Sequence, residues 1–167
     1  MQVTFIPVPD QSSRSSTPTH TPQPEPVLAS VAVVGSSAID ISAQCPDPSL
    51  AAHTTVPGRV SLSLGGVARN IAEACHRLTP PSTTLLIAPV GQDAFGTLMS
   101  TELKLMGMRS DGLIPEKGQS TAVCNMTMDN NGSLAFGVAD MDITANVDSA
   151  KVIPFSLVLF RQLMMNE

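Results

Sequence analysis

Asp40 and the run Leu64-Gly65-Gly66-Val67-Ala68-Arg69-Asn70 carry the groups best suited to holding a ligand. Two adjacent glycines end an alternating, strand-like run and open a helix-like one. Glycine has no Cβ and tolerates unusual φ and ψ, so a ligand can lie close against the backbone there. A helix start also leaves its first amide donors without intrahelical partners, and the Asn70 side chain can donate and accept at once. Asp40, in Ala38-Ile39-Asp40-Ile41, is one carboxylate among apolar neighbours. It reads either as a turn or N-cap residue or as a grip for ligand hydroxyls. The second reading follows from its place just past a buried strand, the edge at which open α/β sheets bind ligands. His20, His53 and His76 are too dispersed for a metal site, and His76 is expected on the exposed side of its helix.

The elements that must position these residues follow from hydrophobic period. Val31-Ala-Val-Val34, bounded by Gly35-Ser36-Ser37, is a short apolar run of the kind buried on both faces. Val60, Leu62 and Leu64 alternate with Ser61 and Ser63, giving a strand that ends at Gly65. The helix from Gly66 to Leu78 is expected to bury a stripe of Ala68, Ile71, Ala72, Cys75 and Leu78, with Glu73 and Arg77 paired on the outside. Thr79-Pro80-Pro81 stops it. Thr83–Val90 is a second buried strand, and a second helix follows with Asp93 as its cap and Gly107 as its end. Its stripe is Phe95, Leu98, Met99, Leu103 and Met106. Gly112–Pro115 reads as an edge strand, so the alternation of strand and helix implies a parallel sheet. The chain then changes character. Residues 121–128 and 133–138 alternate around Asp129-Asn130-Asn131-Gly132, an antiparallel hairpin signal. With the strand over Val60–Leu64, that hairpin predicts a small separate sheet covering the ligand site. Met126 and Met128 are expected as packing residues rather than as cofactor ligands.

Composition narrows the class. The chain has 167 residues, 43% hydrophobic and 3% aromatic with no Trp or Tyr, and a formal charge of -5. That size suits one domain or part of a larger one, and the acidic balance argues against a nucleic-acid partner. Cys45, Cys75 and Cys124 are widely spaced, without a CxxC, which fits reduced thiols rather than a disulfide framework or a zinc site. No apolar run has the length of a membrane span, and the N-terminus lacks the blocks of a signal peptide. A soluble, cytoplasmic protein is expected. Residues 1–28 are rich in Ser, Thr and Pro and read as a disordered lead or interdomain linker. Residues 29–150 read as the folded part, and 151–167 as an atypical apolar tail in which Val152–Phe160 suits an unpaired strand.

Four blocks together resemble the PfkB family of carbohydrate kinases, which have the ribokinase-like fold. They are Val33-Val34-Gly35-x-x-x-x-Asp40, Gly65-Gly66-x-x-x-Asn70, Pro89-Val90-Gly91-x-Asp93-x-Phe95-Gly96, and Thr121-Ala122 opening the hairpin. Within the family, Gly65–Ala74 is most similar to the pseudouridine kinases. The resemblance implies an α/β fold: a parallel sheet flanked by helices, with a small antiparallel lid sheet of residues 41–44, 60–64, 121–128 and 133–139. It implies that Asp40 and Asn70 hydrogen-bond sugar hydroxyls and that Gly65 and Gly66 let the substrate approach the backbone. It also makes Cys124 a candidate substrate contact. Ala38 stands where ribokinase-type members carry Asn, which points away from plain ribose.

The complete family domain is expected to use ATP and Mg2+ to phosphorylate a ribosyl hydroxyl of a sugar or nucleoside. Its catalytic Asp lies in a glycine-rich motif of the C-terminal half. Asp140, Asp142 and Asp148 lack such a context and read as turn or cap residues. The expectation is therefore an N-terminal, truncated part that holds substrate and has no catalytic residue, no metal ligand and no demonstrable cofactor of its own. The alternative is an inactive ligand-binding or lid-pairing fragment. The resemblance adds two partner expectations, a lid-mediated homodimer and a glycosidase domain fused upstream in longer relatives. A dinucleotide-binding domain is disfavoured, because no G-x-G-x-x-G follows the first strand.

Overall fold

The computed structural model describes residues 29–47, 54–145 and 147–155. The lead and most of the tail lie outside them. Val31–Val34 (β1), Thr84–Gly91 (β4) and Leu113–Glu116 (β5) form a parallel sheet in the order β1-β4-β5. All eight residues of β4 are buried, as an apolar central strand covered on both faces should be. On one face, Leu86, Ala88 and Val90 pack with Val33 against two helices, Val67–Leu78 (α1) and Ala94–Leu105 (α2). On the other, Leu85, Ile87 and Ile114 pack with Ala32, Val152 and Phe155.

The tail begins as helix rather than as the expected strand: residues 149–155 are helical. Asp148 starts it, its Oδ1 accepting from the Ala150 amide at 2.9 Å. Val152 and Phe155, three apart, then fall on one face and cover the sheet.

The second sheet runs in the order β3-β2-β6-β7, from Arg59–Gly65 (β3), Ala38–Gln44 (β2), Val123–Met128 (β6) and Leu134–Asp140 (β7). It is mixed rather than wholly antiparallel. The β2–β3 and β6–β7 contacts are antiparallel, but β2 and β6 run parallel. The topology explains this: β2 follows β1 and β6 follows β5, so both leave the carboxyl ends of parallel strands in the same direction, and β3 and β7 run back beside them. At the hairpin, the Asp129 carboxylate accepts from the amides of Asn131 and Ser133, both at 2.8 Å, and Gly132 takes φ +81°. A short helix, Asp142–Ala145 (α3), follows β7.

α2 agrees with its sequence reading. Met99 and Leu103 are fully buried, with Phe95, Leu98 and Met106 packed beside them. Gly107 adopts φ +75°, and the Gly107 and Met108 amides close the helix on the Lys104 and Leu103 carbonyls. α1 buries Ala68 and Ala72 of its expected stripe but is rotated away from the rest of it. Its buried residues are Ala68, Arg69 and Ala72, whereas Ile71 is 49% and Leu78 87% exposed. The two alanines allow α1 close to the sheet, and that approach turns Arg69 inward.

Candidate functional site

The site lies where β1 gives way to β2 and where β3 gives way to α1. Gly66 takes φ +94° and sits on the backbone of residues 36–38; a Cβ there would come within 2.6 Å of the Ser36 carbonyl oxygen and of Ser37 Cα. The glycine offers no side-chain cap to α1. Ser36 supplies one from the neighbouring loop: its hydroxyl accepts from the Val67 amide and its carbonyl from the Arg69 amide, both at 3.2 Å. Two of the amide donors expected to be free for a ligand are thus satisfied within the protein.

Asp40 lies inside β2, so it is neither a turn nor a cap residue. It pairs with Ser63 of β3 on one side and Cys124 of β6 on the other, which sets all three on one face of the sheet. Gly65 lies two residues beyond Ser63, and a Cβ built on it would overlap both carboxylate oxygens and Cγ of Asp40. The structure therefore brings Asp40, Gly65 and Cys124 together. Asn70 stands apart from that row, exposed one turn into α1. Its Oδ1 accepts from Arg69 Nη1 at 3.0 Å.

Three residues hold this arrangement through contacts that the sequence reading did not assign to them, Thr121 being marked there only as the opening of the hairpin. Ser36, the surrogate cap, gives no sequence signal of its role. Arg69 is 7% exposed; besides Asn70 it reaches the Leu64 carbonyl at 3.4 Å and Met106 Sδ at 3.5 Å, and it pairs with Glu73 Oε2 at 2.5 Å. The i,i+4 spacing from Arg69 to Glu73 was a signal for it. Glu73 also pairs with Arg77 as expected. The Arg77 hydrogen bonds, opposed by burial and helped by the charge of Arg69, hold the Glu73 carboxyl below the usual range.

Thr121 is the third. Asp93 caps α2, accepting from the Gly96 amide at 2.8 Å, and the same carboxylate accepts from the Thr121 amide and hydroxyl, each at 2.7 Å. The Thr121 hydroxyl accepts in turn from the Gly91 amide at 2.9 Å. This ties the end of β4 and the start of α2 to the root of β6. Burial opposes the charge on Asp93, but the donors from Thr121, Gly96 and Phe95 outweigh it and lower its pKa. His76 is half-buried, not outward as expected: its Nε2 lies 3.2 Å from the Met106 carbonyl at the end of α2.

Among the described residues no three His, Cys, Asp or Glu side chains gather as metal ligands would. Asp140 ends β7, Asp142 begins α3 and Asp148 caps residues 149–155, none in a glycine-rich turn. Among the described residues, no helix is long and apolar enough to cross a membrane.

Comparison with known proteins places this architecture. Residues 28–158 match the model of the pfkB family carbohydrate kinases, and the chain belongs to that family. Over 114 residues it is 32% identical to a pseudouridine kinase of Arabidopsis thaliana and 29% identical to one of Escherichia coli. Each alignment covers 68% of this chain, but only 29% and 36% of those proteins. A crystal structure of a putative sugar kinase from Clostridium perfringens superposes with a TM-score of 0.66 at 25% identity, over 78% of this chain and 40% of that one. The chain thus spans about a third of the length of the curated relatives it matches.

Proposed function

We propose that this chain forms the sugar-holding wall of a nucleoside kinase of the pseudouridine kinase type, which in its complete form moves the γ-phosphoryl group of ATP to a ribosyl hydroxyl. One observation carries the reading: the Asp40 carboxylate lies over the bare backbone of Gly65, at the carboxyl end of β1, with Cys124 beside it. A carboxylate accepts from two neighbouring hydroxyls at once, as vicinal diols require. Asn70 supplies the opposite polarity, and the glycine lets a sugar ring sit against the chain. The similarity to two pseudouridine kinases supports a ribosyl ligand.

The lid sheet carries a further part of the reading. Val60, Leu62, Phe136 and Val138 occupy the face opposite Asp40 and are 49–70% exposed. An apolar face of this kind supports pairing of two copies through their lids.

Calorimetric titration of the chain with pseudouridine and with ribose tests the wall. Pseudouridine should bind, and Asp40→Ala should abolish the heat; silence from both ligands with the parent chain would overturn the proposal. Incubation with ATP, Mg2+ and pseudouridine should give no turnover. Robust phosphorylation would show that residues assigned here only to holding the sugar also carry the chemistry.

A further inference from the structure

We propose that Arg69 is a positioning residue that fixes the polarity of the sugar site by setting the orientation of the Asn70 carboxamide. The inference rests on the reading of Asp40 and Asn70 as the sugar-holding pair. A guanidinium only donates, so Arg69 Nη1, 3.0 Å from Asn70, selects the Oδ1 end of the amide and leaves Nδ2 for the ligand. Among the described residues, neither Asn70 Nδ2 nor the Asp40 carboxylate has a hydrogen-bond partner. One side of the site then only donates and the other only accepts, which suits a ligand whose hydroxyls are oriented in one sense.

The guanidinium is itself held from several sides. Glu73 Oε2 lies 2.5 Å from Nη2, Met106 Sδ lies against the same nitrogen, and the Leu64 carbonyl shares Nη1 with Asn70. Leu64 immediately precedes the Gly65-Gly66 pair, so one buried cation connects the end of lid strand β3 to the residue on α1 that meets the ligand. Nε is buried without a partner. An ion pair with Glu73 alone needs neither that buried nitrogen nor the reach to residues 64 and 70.

A double-mutant cycle on the full chain separates positioning from packing. Arg69→Met should weaken pseudouridine binding about tenfold, and should do nothing further in an Asn70→Ala background. Equal losses in both backgrounds, or no loss in the parent, would overturn the proposal. Arg69→Lys keeps the charge and the stem, and gives the same cycle if the Met variant does not fold. A ligand-free readout decides the orientation independently: the Asn70 side-chain 15N–1H pair should be resolved in the parent and should shift in Arg69→Lys. Identical resonances would overturn it. If Asn70→Ala leaves binding intact, or the parent binds nothing, the sugar-site reading fails, and the Asn70 resonances still decide the role of Arg69.

Discussion

The Asp40 carboxylate occupies the space that a Cβ on Gly65 would need, although the two residues are 25 positions apart and lie on adjacent antiparallel strands. The proposed substrate wall and the strand pairing therefore share one contact. Gly65→Ala should leave stability within about 1 kcal/mol, because the clash is with the end of a side chain that can swing away. It should cost ligand affinity roughly tenfold or more, since that swing removes the acceptor. Gly66→Ala should do the reverse. It meets backbone and a φ of +94°, so about 1–3 kcal/mol should be lost. Paired urea unfolding and calorimetry distinguish the two.

Asp93 gives a pH dependence of defined sign. Its pKa is lower in the folded chain than the ordinary value of 3.8. Its contribution is therefore complete above 3.8 and is lost as the pH falls from there through the folded value. Asp93→Asn should flatten that limb of the stability curve and cost about 1–2 kcal/mol at neutral pH through the weakened cap and the loosened Thr121. An unchanged acid limb in thermal melts from pH 6 to pH 3 would contradict the assignment.

The two arginines that flank Glu73 should respond unequally. Arg77 is 70% exposed at its side chain, so Arg77→Ala should cost no more than about 0.5 kcal/mol, less at high salt. Glu73→Gln leaves the Arg69 cation buried without its counter-charge and should cost about 3 kcal/mol. Chemical denaturation at two ionic strengths checks both values.

The apolar lid face predicts an association phenotype. Phe136→Glu or Val138→Glu should convert a dimer to a monomer in sedimentation velocity and remove the concentration dependence of the thermal midpoint, while the monomer itself keeps its stability because both side chains are already exposed in the single chain. A parent chain that is monomeric at high concentration would remove the lid-pairing reading.

The sequence by itself determined whatever depends on neighbours within a turn or two. The apolar run of β4, the Asp93 cap, the Gly107 stop of α2 and the Asp129–Gly132 hairpin all declare themselves through local period, capping or φ. The blocks from Gly35 to Asp40 and from Gly65 to Asn70 carried the family resemblance, and the match of residues 28–158 to the pfkB family agrees with it. Only the tertiary structure decided which face of α1 turns inward. Of the expected stripe, Ala68 and Ala72 face the core while Ile71 and Leu78 do not, because small side chains permit the close approach of helix and sheet. That rotation buries Arg69 only because acceptors from residues 64 and 73, with Met106, converge on it. The tie between Asp93 and Thr121, the overlap of Asp40 with Gly65 and the parallel pairing of β2 with β6 are likewise contacts between distant segments. Period and capping report how a segment meets itself. Which donor meets which acceptor across the fold is set by packing, and packing placed the Asp40 carboxylate over the glycine that makes room for it.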